Sequence, residues 1–143
     1  MFQFEKLDVW QYARSFARDV YGSVESFPRK EQFALTQQLQ RAVVSISANI
    51  AEGSSRSSAK EFSRYVEMAY GSLCEVVAEL FIALDCDYLK EDDFKRLYAQ
   101  SESLGRMMSR FREALETSWI KTTRSGDHQT IKPSNHQTRK GNQ

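Results

Sequence analysis

Between Phe94 and Leu115 the residues Phe94, Leu97, Ser101, Leu104, Met108, Phe111 and Leu115 recur at intervals of 3, 4, 3, 4, 3 and 4. On an α-helix this spacing gathers every apolar side chain into one seam, which has to be buried against another helix. The mean interval is that of a left-handed bundle. A chain with this row is thereby committed to helix-on-helix packing.

Three earlier segments carry similar rows. The first, "LDVWQYARSFARDVYGSVESF", repeats Trp10, Ala13, Ala17, Val20, Val24 and Phe27 at three and four spacings, with Asp8 as its expected N-cap. Pro28 ends it, because a residue before proline is pushed out of the α region. The second is expected from near Glu31 to about Glu52, with Leu39, Val43, Ile46 and Ile50 inward and Gly53 as a C-terminal stop. The third is expected from about Ala59 to Cys86, with Phe62, Val66, Ala69, Leu73, Val76, Leu80 and Leu84 as its stripe. Ser58 and Glu61 before it have capping-box spacing. Gly71 in mid-helix costs about 1 kcal/mol relative to Ala, which a close helix–helix approach would explain. The fourth opens with Glu91, Asp92 and Asp93, suited to the positive end of a helix dipole.

Four long helices with short connections predict an all-α, antiparallel up-down four-helix bundle over residues 1–118. Residues 119–143 are polar and aperiodic and read as a disordered tail. Helix three carries Tyr65, Tyr70, Val77, Phe81 and Ile82 beyond its stripe, more apolar surface than a monomeric bundle needs, which predicts a homo-oligomer.

Charge narrows the functional classes. Residues 1–116 hold 15 Lys/Arg and 18 Asp/Glu, so the body is slightly acidic, while 117–143 hold five Lys/Arg and one Asp. Bulk charge therefore gives the body no support as a nucleic-acid binder. Arg41, Arg56, Lys60 and Arg64 do cluster about the turn between helices two and three, where a nucleic acid or a small anion would be held. The N-terminal "MFQFEKLDVW" lacks the apolar run of a signal peptide, and no segment is long and apolar enough for a bilayer, so a cytoplasmic protein with no membrane partner is expected. Cys74 and Cys86 lie about 18 Å apart on one helix and read as buried, reduced thiols.

Catalysis finds no constellation. The two histidines, His128 and His136, lie in the tail, so the Glu-x-x-His pairs of bundle di-iron sites are missing. Glu75 and Glu79, one turn apart, read as a solvated or interfacial carboxylate pair rather than a metal site. The serines of "SISANIAEGSSRSS" have no base near them, and "AEGSSRSS" lacks the Walker lysine. No catalytic residue, metal or cofactor is expected.

The most informative stretch is "RAVVSISANIAEGSSR". Beside its apolar stripe runs a second row, Ala42, Ser45, Asn49 and Glu52, small and polar. Buried polar groups must be hydrogen-bonded. Gln38, Arg41, Ser45, Asn49, Glu52 and Gly53 on helix two, with Gly71, Ser72 and Glu75 on helix three and Arg56 between, are therefore expected to form a structural polar network. It would set how helix two meets helix three or a neighbouring subunit.

Together "FEKLDVWQYA", "VYGSVESFPRKEQFALTQQLQRAVVSISANIAEGSSR" and "EFSRYVEMAYGSLCEVVAEL" resemble the bacterial four-helix-bundle proteins of the 23S rRNA intervening-sequence family, over residues 4 to about 115. That family is named for a genomic position, not for an activity. It is similar in fold to the accessory variability protein of diversity-generating retroelements, a homopentameric barrel that binds nucleic acid and a reverse transcriptase. The resemblance implies a ring-shaped pentamer and a link to RNA or DNA. The function expected is thus a non-enzymatic assembly or binding module. The rivals are a scaffold that binds only a protein partner, and a small-ligand or anion-binding bundle.

Overall fold

The computed structural model of the chain describes residues 1–126, which form four α-helices and two short 3-10 turns, with no strand among them. The helices are α1 (Asp8–Val24), α2 (Leu35–Ser54), α3 (Ala59–Asp85) and α4 (Glu91–Gly126). Each packs on its chain neighbours and α4 closes onto α1, while the diagonal pairs α1–α3 and α2–α4 stay apart. One core fills the middle: Phe16, Val20, Leu39, Val43, Ile46, Ile50, Val66, Val76, Leu80, Leu97, Leu104 and Met108 are fully buried. The inward residues of α2, α3 and α4 are those of the stripes read from the sequence. In α1 the stripe sits one position round: Phe16 is its fully buried aromatic, and Trp10 and Ala17 lie at the margin.

Cross-helix contacts fix the register. Along α2 and α3, Ser45 meets Ser72 and, further on, Glu52 and Arg56 meet Tyr65. Along α3 and α4, Phe81 packs on Phe94 and Tyr98, Leu73 and Tyr70 face Gly105, and Phe62 packs on Phe111. Gln100 on α4 donates to Asp19 on α1 at 2.6 Å.

Several boundaries differ from expectation, each for a local reason. Asp8 is the first residue of α1 rather than its cap; Leu7 holds the cap position with no side-chain bond. α1 ends at Val24, before Phe27 and Pro28. Between Pro28 and α2 the chain makes a 3-10 turn, Arg29–Glu31, and α2 begins only at Leu35. Glu31 holds this corner: one carboxylate oxygen accepts from the Leu35 N–H at 3.3 Å and the other from the Tyr88 hydroxyl at 3.3 Å. The Ser58 cap is as expected, its side chain accepting from the Glu61 N–H at 3.2 Å. α4 continues past residue 118 to Gly126, so 119–126 are helical where a disordered tail was expected; the remainder of that tail, with His128 and His136, lies outside the described residues. Among the described residues no helix is long and apolar enough to cross a membrane.

The two glycines exchange roles. Gly53 does not stop α2 with a left-handed residue; it lies inside the helix, buried, and no glycine among those described has positive φ. A Cβ placed on it would stand 2.6 Å from both Phe62 Cδ2 and Tyr65 Cβ, so α2 and α3 approach through it. Gly71, expected to mark that approach, faces open space with nothing within 4 Å of a built Cβ. Gly53→Ala is therefore expected to lower unfolding free energy by about 1–3 kcal/mol through overpacking. Gly71→Ala should raise it by about 0.5–1 kcal/mol through helix propensity. Urea unfolding followed by helical circular dichroism measures both.

Candidate functional site

The polar row of α2 does not form one network; it divides into separate clusters. In the first, the Ser45 and Ser72 hydroxyls lie 2.6 Å apart, and Ser45 Oγ is 2.8 Å from the Ala42 carbonyl oxygen. One hydroxyl proton cannot serve both bonds, so Ser72 donates to Ser45 and Ser45 donates to Ala42. Asn49, half-buried, spends its amide within its own helix, Nδ2 donating to the Ser45 carbonyl at 2.8 Å. Ala42 belongs to the core. This cluster is a small-residue seam between α2 and α3.

The second cluster closes the end of that seam. Arg56 pairs with Glu52 at 2.8 Å, donates to the Tyr65 hydroxyl and lies over the Tyr65 ring at 4.7 Å. Tyr65 in turn bonds Glu52 at 3.4 Å. With Gly53 beneath, this fastens the α2 C-terminus to α3. The pair is exposed, and exposed pairs of this kind are worth about 0–1 kcal/mol.

The third cluster is the carboxylate pair on α3. Glu75 is exposed, but Glu79 is 6% exposed and its Oε2 has no hydrogen-bond partner. Burial first, then the charge of Glu75 and a hydrogen bond with it, push the Glu79 carboxyl up to about 7. The pairing was legible from one-turn spacing, though as a solvated or interfacial pair. The burial of Glu79 is a tertiary fact that spacing does not carry.

The other expected residues scatter. Gln38 and Arg41 are exposed on α2, and Gly71 is exposed on α3. Of the basic set, Arg56 is committed to Glu52, Lys60 lies over Trp119 at 5.0 Å from the ring centre, and Arg64 is exposed beside Glu67 and Met68. Arg41 stands apart on the outer face of α2 with Gln37, Gln40, Val44 and Ala48. Both cysteines are exposed, correcting the expectation of buried thiols: Cys74 lies off the core stripe of α3, and Cys86 lies beyond its last residue at the C-cap. No cluster of three or more metal-ligating residues exists among those described.

A broad, partly apolar groove lies elsewhere. With a volume of about 700 Å³, it runs along the outside of α3 and α4, lined by Tyr70, Leu73, Cys74, Val77 and Phe81 on one side and by Tyr98, Glu102, Gly105, Arg106 and Arg110 on the other. Tyr70, Phe81 and Tyr98 are large, exposed and unshielded. The α3 half was legible as surplus apolar surface. The α4 half was not, because Tyr98 and Gly105 belong to no apolar row.

The Glu79 carboxyl carries a pH signature. Its folded pKa, about 7, lies above the ordinary 4.5, so the folded chain holds a proton that the unfolded chain releases. Its contribution is fully present below the ordinary value and is lost as pH rises through about 7. Unfolding free energy should fall between about pH 5 and about pH 8, and Glu79→Gln should flatten that slope and exceed the parent at the upper end. Urea titrations of both proteins across this range provide the check.

No curated protein matches the chain at a significant level. The chain is similar in fold to a crystal structure of a protein of unknown function from the S23 ribosomal protein family of Bacteroides thetaiotaomicron. The TM-score is 0.66 at 19% identity, over 73% of this chain and 97% of that one. The family described as 23S rRNA-intervening sequence protein matches residues 5–110, which take in α1, α2, α3 and most of α4. The chain belongs to the 23S rRNA-intervening sequence protein family.

Proposed function

We propose that this protein is a non-enzymatic assembly module: an antiparallel up-down bundle whose copies associate into a closed ring, the pentamer implied by its resemblance, with RNA or DNA as its associate. The observation that carries the reading is the apolar groove on α3 and α4. Its aromatic walls are a liability on a monomer and an asset on a protomer. The up-down order is supported by contacts that run in opposite directions along successive helices, Ser45–Ser72 before Glu52–Tyr65 and Phe81–Phe94 before Phe62–Phe111. The non-enzymatic part rests on what the polar side chains do: serines bonded to one another and an arginine bonded to its glutamate serve packing. A cytoplasmic location belongs to the same reading.

The nucleic-acid part rests on the family's association with rRNA genes. In a ring, Lys60 and Arg64 would recur in every copy, and recurrence raises the effective strength of a weak patch. Light scattering on the full chain at micromolar concentration should give a mass several times the 16.5 kDa of the protomer. Titration of that species with labelled RNA and DNA at two salt concentrations should show binding that weakens with salt. A protomer mass removes the assembly reading. An assembled protein that binds neither nucleic acid leaves a protein-binding scaffold in its place.

A further inference from the structure

The outer face of α2 is as unusual as the groove. In a chain that is 27% charged, residues 36–51 carry one charge, Arg41. The outward residues there are Gln37, Gln40, Val44 and Ala48 beside that arginine, and Val44 is 44% exposed. By contrast, the exposed face of α1 holds Arg14 and Arg18, and that of α4 outside the groove holds Lys95 and Arg96. Depletion of charge on an exposed surface is the compositional mark of an interface core.

From these two surfaces we infer that the outer face of α2 from a second copy of this chain lies in the groove between α3 and α4, with Arg41 of the one facing Glu102 of the other. The inference rests on the self-association proposed above and specifies its interface. The groove spans Tyr70 to Phe81 along α3, about 16 Å, which suits three turns of a helix ridge rather than a single knob. The two patches differ, so the contact is heterologous, and a heterologous contact that closes makes a ring.

The register of the protomer supplies the pairing. Ser45 is level with Ser72, and Gly105 is level with Leu73 and Tyr70. α2 and α4 both run from that level toward the end where Tyr65 and Phe62 lie. Rotation about an axis along the bundle preserves level. Arg41, one turn before Ser45, then comes level with Ser101 and Glu102, one turn before Gly105. Val44 comes level with Gly105 and Cys74. Neither Arg41 nor Glu102 has an ion-pair partner among the described residues of its own chain. Arg106 and Arg110 come level with residues 46 and 50, where α2 carries no charge of either sign.

The test uses the full chain with Cys86→Ser, so that Cys74 in the groove is the sole thiol. Adding Val44→Cys gives every copy one thiol on each proposed surface. Copper-catalysed air oxidation should then give a ladder of covalent multimers beyond the dimer on non-reducing gels, and no ladder without Val44→Cys. Independently, Arg41→Glu or Glu102→Arg should each raise the assembly midpoint concentration by about tenfold or more, and the double variant should restore it. Circular dichroism confirms that each variant is folded. An assembled parent with no ladder, or only Cys74–Cys74 dimers, and with indifferent charge variants would overturn this interface while leaving self-association standing. A parent with protomer mass would overturn both.

Discussion

The approach of α2 to α3 through Gly53 is the constraint on which the rest depends. With no side chain at that position, Phe62 and Tyr65 come against the backbone of α2. That contact sets the level at which the two helices meet. Ser45 then falls opposite Ser72, and Tyr65 falls within reach of Glu52 and Arg56. A larger residue would part the helices at the end where the fastening cluster forms. α3 in turn positions α4 through Leu73 and Phe62, so the register of the whole bundle passes through one missing methyl group.

Much of this fold was legible because it depends on period. Leu97, Leu104 and Met108 declare their inward face through spacing alone, and the structure buries them there. Where one helix meets another was not legible. Gly53 and Gly71 are alike in sequence, each a glycine in or near a helix, and nothing local says which of them faces a neighbour. The same holds for Glu75 and Glu79: one turn apart and identical in type, one is exposed and the other buried with an unpartnered oxygen. The polar row was visible as a row. Its division into a serine pair, an arginine–tyrosine clasp and a carboxylate pair depends on which α3 residue stands opposite each position, and that is set by register.

The interior and the exterior of the bundle use different chemistry. Inside, apolar side chains close-pack; Ser101 returns its bond to the Leu97 carbonyl, and Glu79 is the one carboxylate buried among the described residues. Outside, charge is unevenly placed. α1 and α4 carry it densely, while the middle of α2 is nearly free of it and the cleft between α3 and α4 sets aromatic rings beside Glu102, Arg106 and Arg110. Solubility alone does not call for such asymmetry, since a monomer gains most from charge spread over every face. The distribution is consistent with the self-association proposed above.

The two ends of the bundle are also unlike. At one, Phe27, Glu31 and Tyr88 draw the connections into a compact corner. At the other, α4, at 36 residues against 27 for α3, runs on beyond its neighbours with Trp119 and Ile120 along its length. A rotationally symmetric assembly of such protomers is therefore directional. In the ring proposed above, one rim would be smooth and the other would bear a crown of projecting helices, so whatever such an assembly touched along its axis would meet a different surface from each side.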